Sequence, residues 1–292
     1  MELLIIVLVL IYLIVATISD IKTQEIPDSL NYSFIAIGLF IYLIKTLTTG
    51  DTTYILASAL TLVAFLIIGN LMYYTKQWGG GDLKLLMGLG ALLPLYPSII
   101  LENFPIRGTS YLGLDLFLNI LLVGSAYALL FAIYLGIKNR KQFSKTFKEE
   151  YNKKKVKVRE KIFWALIILV NLLSFLFLST NILKLFVLSM SILFLLLNYL
   201  LIAVKSIEDI SMYLTISTKK LREGDAITKE LKSNNKIIYQ PSIHGVTKKQ
   251  ILEIQKHFEK VEIKNGIAFA PSFLIGTIVT LLVGNIFLYL LP

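Results

Sequence analysis

Residues 3–19 carry no charged side chain, and the pattern recurs along the chain. Eight mainly apolar stretches, 3–19, 32–48, 54–74, 83–101, 111–137, 162–180, 182–204 and 268–290, approach or exceed the ~20 residues a helix needs to cross a bilayer core. In hydrocarbon every backbone N–H and C=O must be satisfied internally, so segments of this length are read as helices. The expected fold is membrane all-α: a polytopic helical bundle of about eight spans with a small α/β cytoplasmic segment. Composition agrees. The chain is 56% hydrophobic and 16% charged, against about 45–50% and about 25% in soluble domains. The first stretch follows Glu2 rather than a basic region, and no small-residue cleavage site follows it. It is therefore read as a retained span.

The charges that remain are concentrated. Residues 138–161 hold eleven Lys/Arg and residues 205–267 hold twelve, together 23 of the chain's 29. Positive loops stay in the cytoplasm, which places both segments inside and, by parity, the loops at 20–31 and 75–82 inside as well. The domains expected are a catalytic membrane core of five spans (1–137), a basic cytoplasmic loop (138–161), a two-span hairpin (162–204), a small cytoplasmic domain (205–267) and a final span (268–292). Within 205–267, Thr247 and Gln250 form a capping-box pattern before Ile251, Ile254 and Phe258. Val261 to Lys264 alternates like a strand, and Asn265-Gly266 is a turn signal. The net charge of +10 is accounted for by this topology and by attraction to anionic headgroups. The bilayer is the expected partner, and no nucleic acid is invoked.

There is no cysteine and there are only two histidines, His244 and His257. Thiolate chemistry is excluded and a histidine-rich metal site is not expected, so the expected cofactors and metals are none. Ionisable groups at the edges of spans are costly and often functional. Asp20 closes the first span. Asp82 opens the fourth, behind Gly79, Gly80 and Gly81, which allow close backbone approach and unusual φ. Two carboxylates brought together share a proton, so one acts as acid while the other acts as base toward water. Peptide hydrolysis by such a pair needs neither metal nor cysteine. Either acid alone reads as a helix cap or solvated terminus; it is the two together, on one predicted face, that point to catalysis.

Ser19-Asp20-Ile21, with Glu25-Ile26-Pro27-Asp28-Ser29-Leu30-Asn31, resembles the first-loop signature of type IV prepilin peptidases and archaeal preflagellin peptidases. Gly79-Gly80-Gly81-Asp82-Leu83-Lys84-Leu85-Leu86, continuing through Gly88-Leu89-Gly90-Ala91, is similar to their Gly-x-Gly-Asp-x-Lys element. Lys264 to Phe273 looks like the entry to the last span of the archaeal branch. The resemblance implies a membrane aspartic endopeptidase with Asp20 and Asp82 as its catalytic pair. Its partners would be precursors of pilin or archaellin type, cut at a basic leader on the cytoplasmic face of the cell membrane. Bacterial members often carry an early tetracysteine zinc segment and methylate the new N-terminus. This chain has no cysteine, so peptidase without methyltransferase activity is expected. The hairpin 162–204 is an addition to the shorter preflagellin-type pattern. The presenilin-like Gly-x-Gly-Asp proteases are more distant, since Asp20 follows Ser19 and the late motif reads Ala270-Pro271-Ser272.

Around the pair, Lys84 is read either as tuning a carboxylate or holding substrate, or as a snorkelling interfacial lysine. Asp28 and Glu25 are read as partners for a basic leader, or, with Pro27, as an ordinary helix start. Trp78 and the Tyr73–Tyr74 pair are expected in the aromatic belt. The competing functions are a proton- or ion-coupled transporter using the two Asp as ion sites, and a non-catalytic assembly component. A carrier is expected to show repeats and mid-membrane polar groups, and no clear repeat is visible.

Overall fold

The computed structural model describes residues 1–109, 111–233, 236–242, 245–264 and 266–290. His244 and Asn265, the latter half of the expected turn, lie outside the described residues. Among the described residues, six helices are long and apolar enough to cross a membrane: α1 (Glu2–Thr23), α2 (Asp28–Thr49), α3 (Thr53–Tyr74), α6 (Leu112–Lys138), α8 (Lys154–Phe177) and α9 (Asn181–Ser211). The stretches read as fourth and eighth spans form shorter helices. The fourth gives α4 (Gly80–Leu92) and α5 (Ser98–Asn103), separated by a segment containing Pro94 and Pro97, neither of which can donate a backbone hydrogen bond. The eighth gives α11 (Ala270–Val283), ended at Gly284 with φ 85°, and α12 (Phe287–Leu290). At 13 and 14 residues, α4 and α11 are only ~20 Å long.

The chain divides into two compact units. The first comprises Met1–Leu129 and Gly266–Pro292. In it α4 packs against α2 and α3, while α1 packs against α11. Leu85, Leu86, Leu89, Leu92 and Leu93 are fully buried. The approach is close enough that a Cβ on Gly88 would lie 2.4 Å from the Tyr12 hydroxyl, so glycine is required where α4 crosses α1.

Helix ends buried away from water must find partners for their last carbonyls. For α4 these come from side chains of neighbouring helices. Ser58 Oγ donates to Ala91 O at 2.8 Å and Tyr42 Oη to Leu92 O at 3.2 Å. The C-terminal end of α11 is tied more heavily. Asn119 Nδ2 donates to Gly284 O at 2.6 Å and to Thr280 Oγ1 at 2.9 Å. The fully buried Asp115 receives Tyr96 Oη and Thr109 N on Oδ2, both at 2.7 Å, and Asn285 Nδ2 on Oδ1 at 2.8 Å. No feature of the sequence reading had singled out this polar cluster.

The second unit is Leu130–Asn265. The basic segment is mostly helical: α7 (Arg140–Asn152) follows α6, and the first turns of α8 continue it. Helices α8 and α9 form a hairpin joined by an Asn171 Nδ2 to Ser191 Oγ bond of 2.8 Å. Beyond α9 lie β1 (Tyr213–Ser217), β2 (Ala226–Ile227), β3 (Leu231–Ser233), β4 (Lys236–Tyr239), α10 (Lys248–His257) and β5 (Lys260–Lys264). The antiparallel sheet has the order β1-β5-β2, and β3 and β4 form a separate hairpin. The capping box is present, with Thr247 Oγ1 accepting from Gln250 N, and Ile251 and Ile254 enter a small apolar core with Val261 and Ile263.

Two substitutions test the account of the α4 terminus. Tyr42→Phe and Ser58→Ala each leave a buried carbonyl without its partner, which costs about 1–3 kcal/mol. Each is expected to lower the thermal midpoint of the detergent-solubilised protein. An unchanged midpoint in both would rule the account out.

Candidate active site

Asp20 lies in the last turn of α1 and is buried, with 8% exposure. That is the unfavourable end of a helix for an acid, because the free carbonyls there are negative. Its partner comes from far along the chain: Ala270 N, at the start of α11, donates to Asp20 Oδ2 at 2.9 Å. Pro271 occupies the first turn of α11, a position where its missing N–H costs nothing. Beyond Asp20 the chain turns at Gln24, left-handed with φ 56°. Gln24 Nε2 then donates to Gly266 O at 3.2 Å, a second tie between the first loop and the segment leading into α11.

Asp82 lies in the first turn of α4, the favourable end for an acid. Its Oδ2 accepts from Gly79 N at 3.0 Å. A Cβ on Gly79 would sit 3.4 Å from that same oxygen, and one on Gly81 would sit 3.4 Å from Ile26 Cβ, so the turn fits closely against the first loop. Gly80 begins the helix. The half-buried Asp82 carboxylate is near enough to Asp20 for the charge of one to act on the other. The two acids, read from separate turns of the sequence, thus interact through their charges.

The remaining expected residues divide. Lys84 Nζ lies 2.5 Å from Asp28 Oδ1 and 5.5 Å from the centre of the Tyr32 ring, so two residues read separately form one ion pair. Asp28 is 61% exposed and Lys84 24% exposed at the side chain. Glu25 is exposed, and its main-chain oxygen accepts from Ser19 Oγ at 2.8 Å.

Trp78 departs from the aromatic-belt expectation. It is buried, with ring centres 5.8 Å from Phe269, 5.3 Å from Phe273 and 6.4 Å from Phe117. The cause is local. Helix α3 ends at Tyr74, Lys76 takes φ 60°, and Gln77 N and Trp78 N both bond back to Met72 O, which turns the chain inward. Tyr74 stays outside, with its ring 5.5 Å from that of Tyr73. Sequence reasoning missed the contribution of Phe269 and Ala270. The available signal was Pro271, which marks a helix start one residue after Ala270.

Comparison with known proteins bears on this region. Residues 7–137 match the family model described as the type IV leader peptidase family. Prepilin peptidase EppA of Methanothermobacter thermautotrophicus is 26% identical over 153 residues, 51% of this chain and 40% of that protein. The preflagellin peptidase of Methanococcus voltae is 34% identical over 134 residues, 44% of this chain and 55% of that protein. That of Methanocaldococcus jannaschii is 35% identical over 95 residues, 32% of this chain and 38% of that protein. The chain thus spans about half or less of these curated relatives. No solved structure matches. Both Asp-bearing turns fall inside the matched stretch, and over residues 7–137 this chain is similar to the type IV leader peptidase family.

Proposed function

We propose that this chain is a membrane aspartic endopeptidase that removes the basic leader from a pilin-like or archaellin-like precursor. The observation that supports the proposal is that Asp20 and Asp82, each bonded by a backbone N–H from a different turn, lie within reach of each other's charge. The names of the matched relatives, prepilin and preflagellin peptidase, support the reaction class and the kind of substrate.

The chemistry is that of a coupled pair. One carboxylate takes a proton from water, and the resulting hydroxide attacks the scissile carbonyl carbon. The other gives its proton to the carbonyl oxygen, producing a tetrahedral diol. Collapse of the diol breaks the C–N bond, with the proton returning through the pair to the leaving amine. The titration belongs to the pair rather than to either member. Two buried hydroxyls without a partner among the described residues, Thr17 Oγ1 and Ser272 Oγ, lie one turn before Asp20 and two residues after Ala270.

The basic leader needs an acidic partner, and Asp28, exposed and paired with Lys84 two residues after Asp82, offers one. An exposed ion pair contributes only about 0–1 kcal/mol. The leader's cation can therefore displace Lys84 from Asp28 at little cost. The working face would be the cytoplasmic one, by the charge of segments 138–161 and 205–267. The carrier reading draws no support from this arrangement, since both acids sit in end turns of their helices and bond to backbone.

Asp20→Asn and Asp82→Asn are each expected to abolish precursor cleavage in membranes, by roughly 10³-fold or more on the scale of removing an essential acid or base, without lowering protein levels. Cleavage retained by both variants would sink the proposal. The wild-type kcat/KM is expected to be bell-shaped in pH with both limbs set by the pair; a flat profile across the acidic range contradicts shared proton transfer. Asp28→Asn should raise KM several-fold, about 1 kcal/mol of lost charge pairing, for a precursor with a Lys/Arg leader, and leave kcat nearly unchanged. The same KM for basic and neutralised leaders in the wild type would remove Asp28 from substrate recognition.

A further inference from the structure

The donors that fix the two carboxylates occupy matching positions. Gly79 N, which bonds Asp82, belongs to the peptide link that follows Trp78. Ala270 N, which bonds Asp20, belongs to the link that follows Phe269. The rings of Trp78 and Phe269 touch, with centres 5.8 Å apart. Each donor is thus one peptide away from one half of an aromatic contact. We propose that the Trp78–Phe269 contact is the alignment device of the site, setting the separation of the two donor amides and through them that of Asp20 and Asp82. Trp78 and Phe269 are positioning residues: their rings act through the donor amides and not on the reacting atoms.

The seat of the device is built. Phe273, one turn along α11, lies 5.3 Å from Trp78 and 5.8 Å from Phe269, edge-on to the latter at 89°. Phe117 also packs against Trp78, with ring centres 6.4 Å apart. Behind Phe269 lies Gly124 of α6, where an added Cβ would stand 2.4 Å from the ring. Two pairs of flat, stiff side chains held on several sides can move only together. A shift of Phe269 therefore carries the Ala270 amide with it, and one of Trp78 carries the Gly79 amide. Misplacing reacting groups by 1 Å can cost about 10²-fold in rate, so a contact of this kind acts on the chemical step rather than on substrate affinity.

The inference rests on the aspartic protease reading, and its test has one arm that does not need cleavage. The chain has no native cysteine, so Lys22→Cys and Gln77→Cys, both at exposed positions, give spin-label sites beside the two turns in the otherwise unaltered full chain. In detergent or lipid, the label distance should form one narrow distribution. Trp78→Ala should broaden or shift it, and Trp78→Phe should restore it. In precursor cleavage, Trp78→Ala should lower kcat at least roughly tenfold while KM stays within about twofold, with Trp78→Phe recovering most of the loss. Gly124→Ala is the second variant. Alanine raises the helix propensity of α6, so a fall in kcat there comes from the displaced Phe269 ring and not from a weaker helix. An unchanged distance distribution in both Trp78→Ala and Gly124→Ala overturns the alignment role whatever the cleavage assay gives. A loss that falls on KM alone overturns it as well. If the wild type cleaves no precursor, the protease reading fails while the label distances still decide the alignment.

Discussion

An acid in the last turn of an apolar helix faces its own helix's unpaired carbonyls, and burial removes the water that could screen it. Asp20 is in that position, and the arrangement of the first unit follows from how it is relieved. The amide that bonds it belongs to a residue 250 positions later in the chain. It opens a helix whose positive end therefore points at the carboxylate. Helices α1 and α11 must be neighbours for this to happen, and they pack directly. The bond has no equivalent a short helix could supply by itself, because the local turn at Gln24 uses the Asp20 main-chain oxygen and leaves its side chain unpaired.

The same helix is anchored at its other end by a different device. Lipid offers helices no hydrophobic reason to associate, so packing of small residues and interhelical hydrogen bonds must hold them. Asn119 takes the carbonyl of Gly284, and Asp115 gathers donors from Tyr96, Thr109 and Asn285. Three donors on a fully buried carboxylate offset much of its desolvation cost. With one carboxylate at each end, α11 behaves as a strut. Over its ~21 Å length it holds its first amide against Asp20 at one end and the Gly284 carbonyl against Asn119 at the other.

What could be read from the sequence divides along the same physical line. Hydrophobic length is a local property, and six of the eight stretches it marked are long helices, although α8 begins eight residues before its stretch and α9 ends seven residues after its own, where the helix runs on into charged sequence. The Thr247–Gln250 cap and the Lys260–Lys264 strand were legible for the same reason, being short-range patterns. The two acids were legible as candidates because charge at a span edge is rare. Their partners were not, because Ala270 contributes only a backbone N–H, which every residue but proline has. Trp78 was misplaced at the membrane boundary because aromatic residues beside a span read alike whether they face headgroups or a core. Only the left-handed turn at Lys76, which no side-chain pattern announces, sends it inward. Shortening of the fourth stretch was visible in Pro94 and Pro97 but was outweighed by an otherwise continuous apolar run.

The final constraint is one of charge. In the proposed peptidase Asp20 and Asp82 share a proton and so carry about one negative charge between them, which fixed dipoles can answer where burial limits hydration. A helix N-terminus is equivalent to roughly half a positive charge. Asp82 lies in the first turn of its own helix α4, and Asp20 reaches the first turn of α11. Two helix N-termini together supply about one unit, matching what a singly protonated pair carries. On this view the glycines before Asp82 do more than allow a turn. They bring the start of α4 against the first loop at Ile26. A positively charged side chain in the same place would answer the charge too, but it would hold both acids ionised and remove the proton that the carbonyl needs. In the proposed peptidase, dipoles from the two helix ends would stabilise a shared charge without fixing which acid bears it.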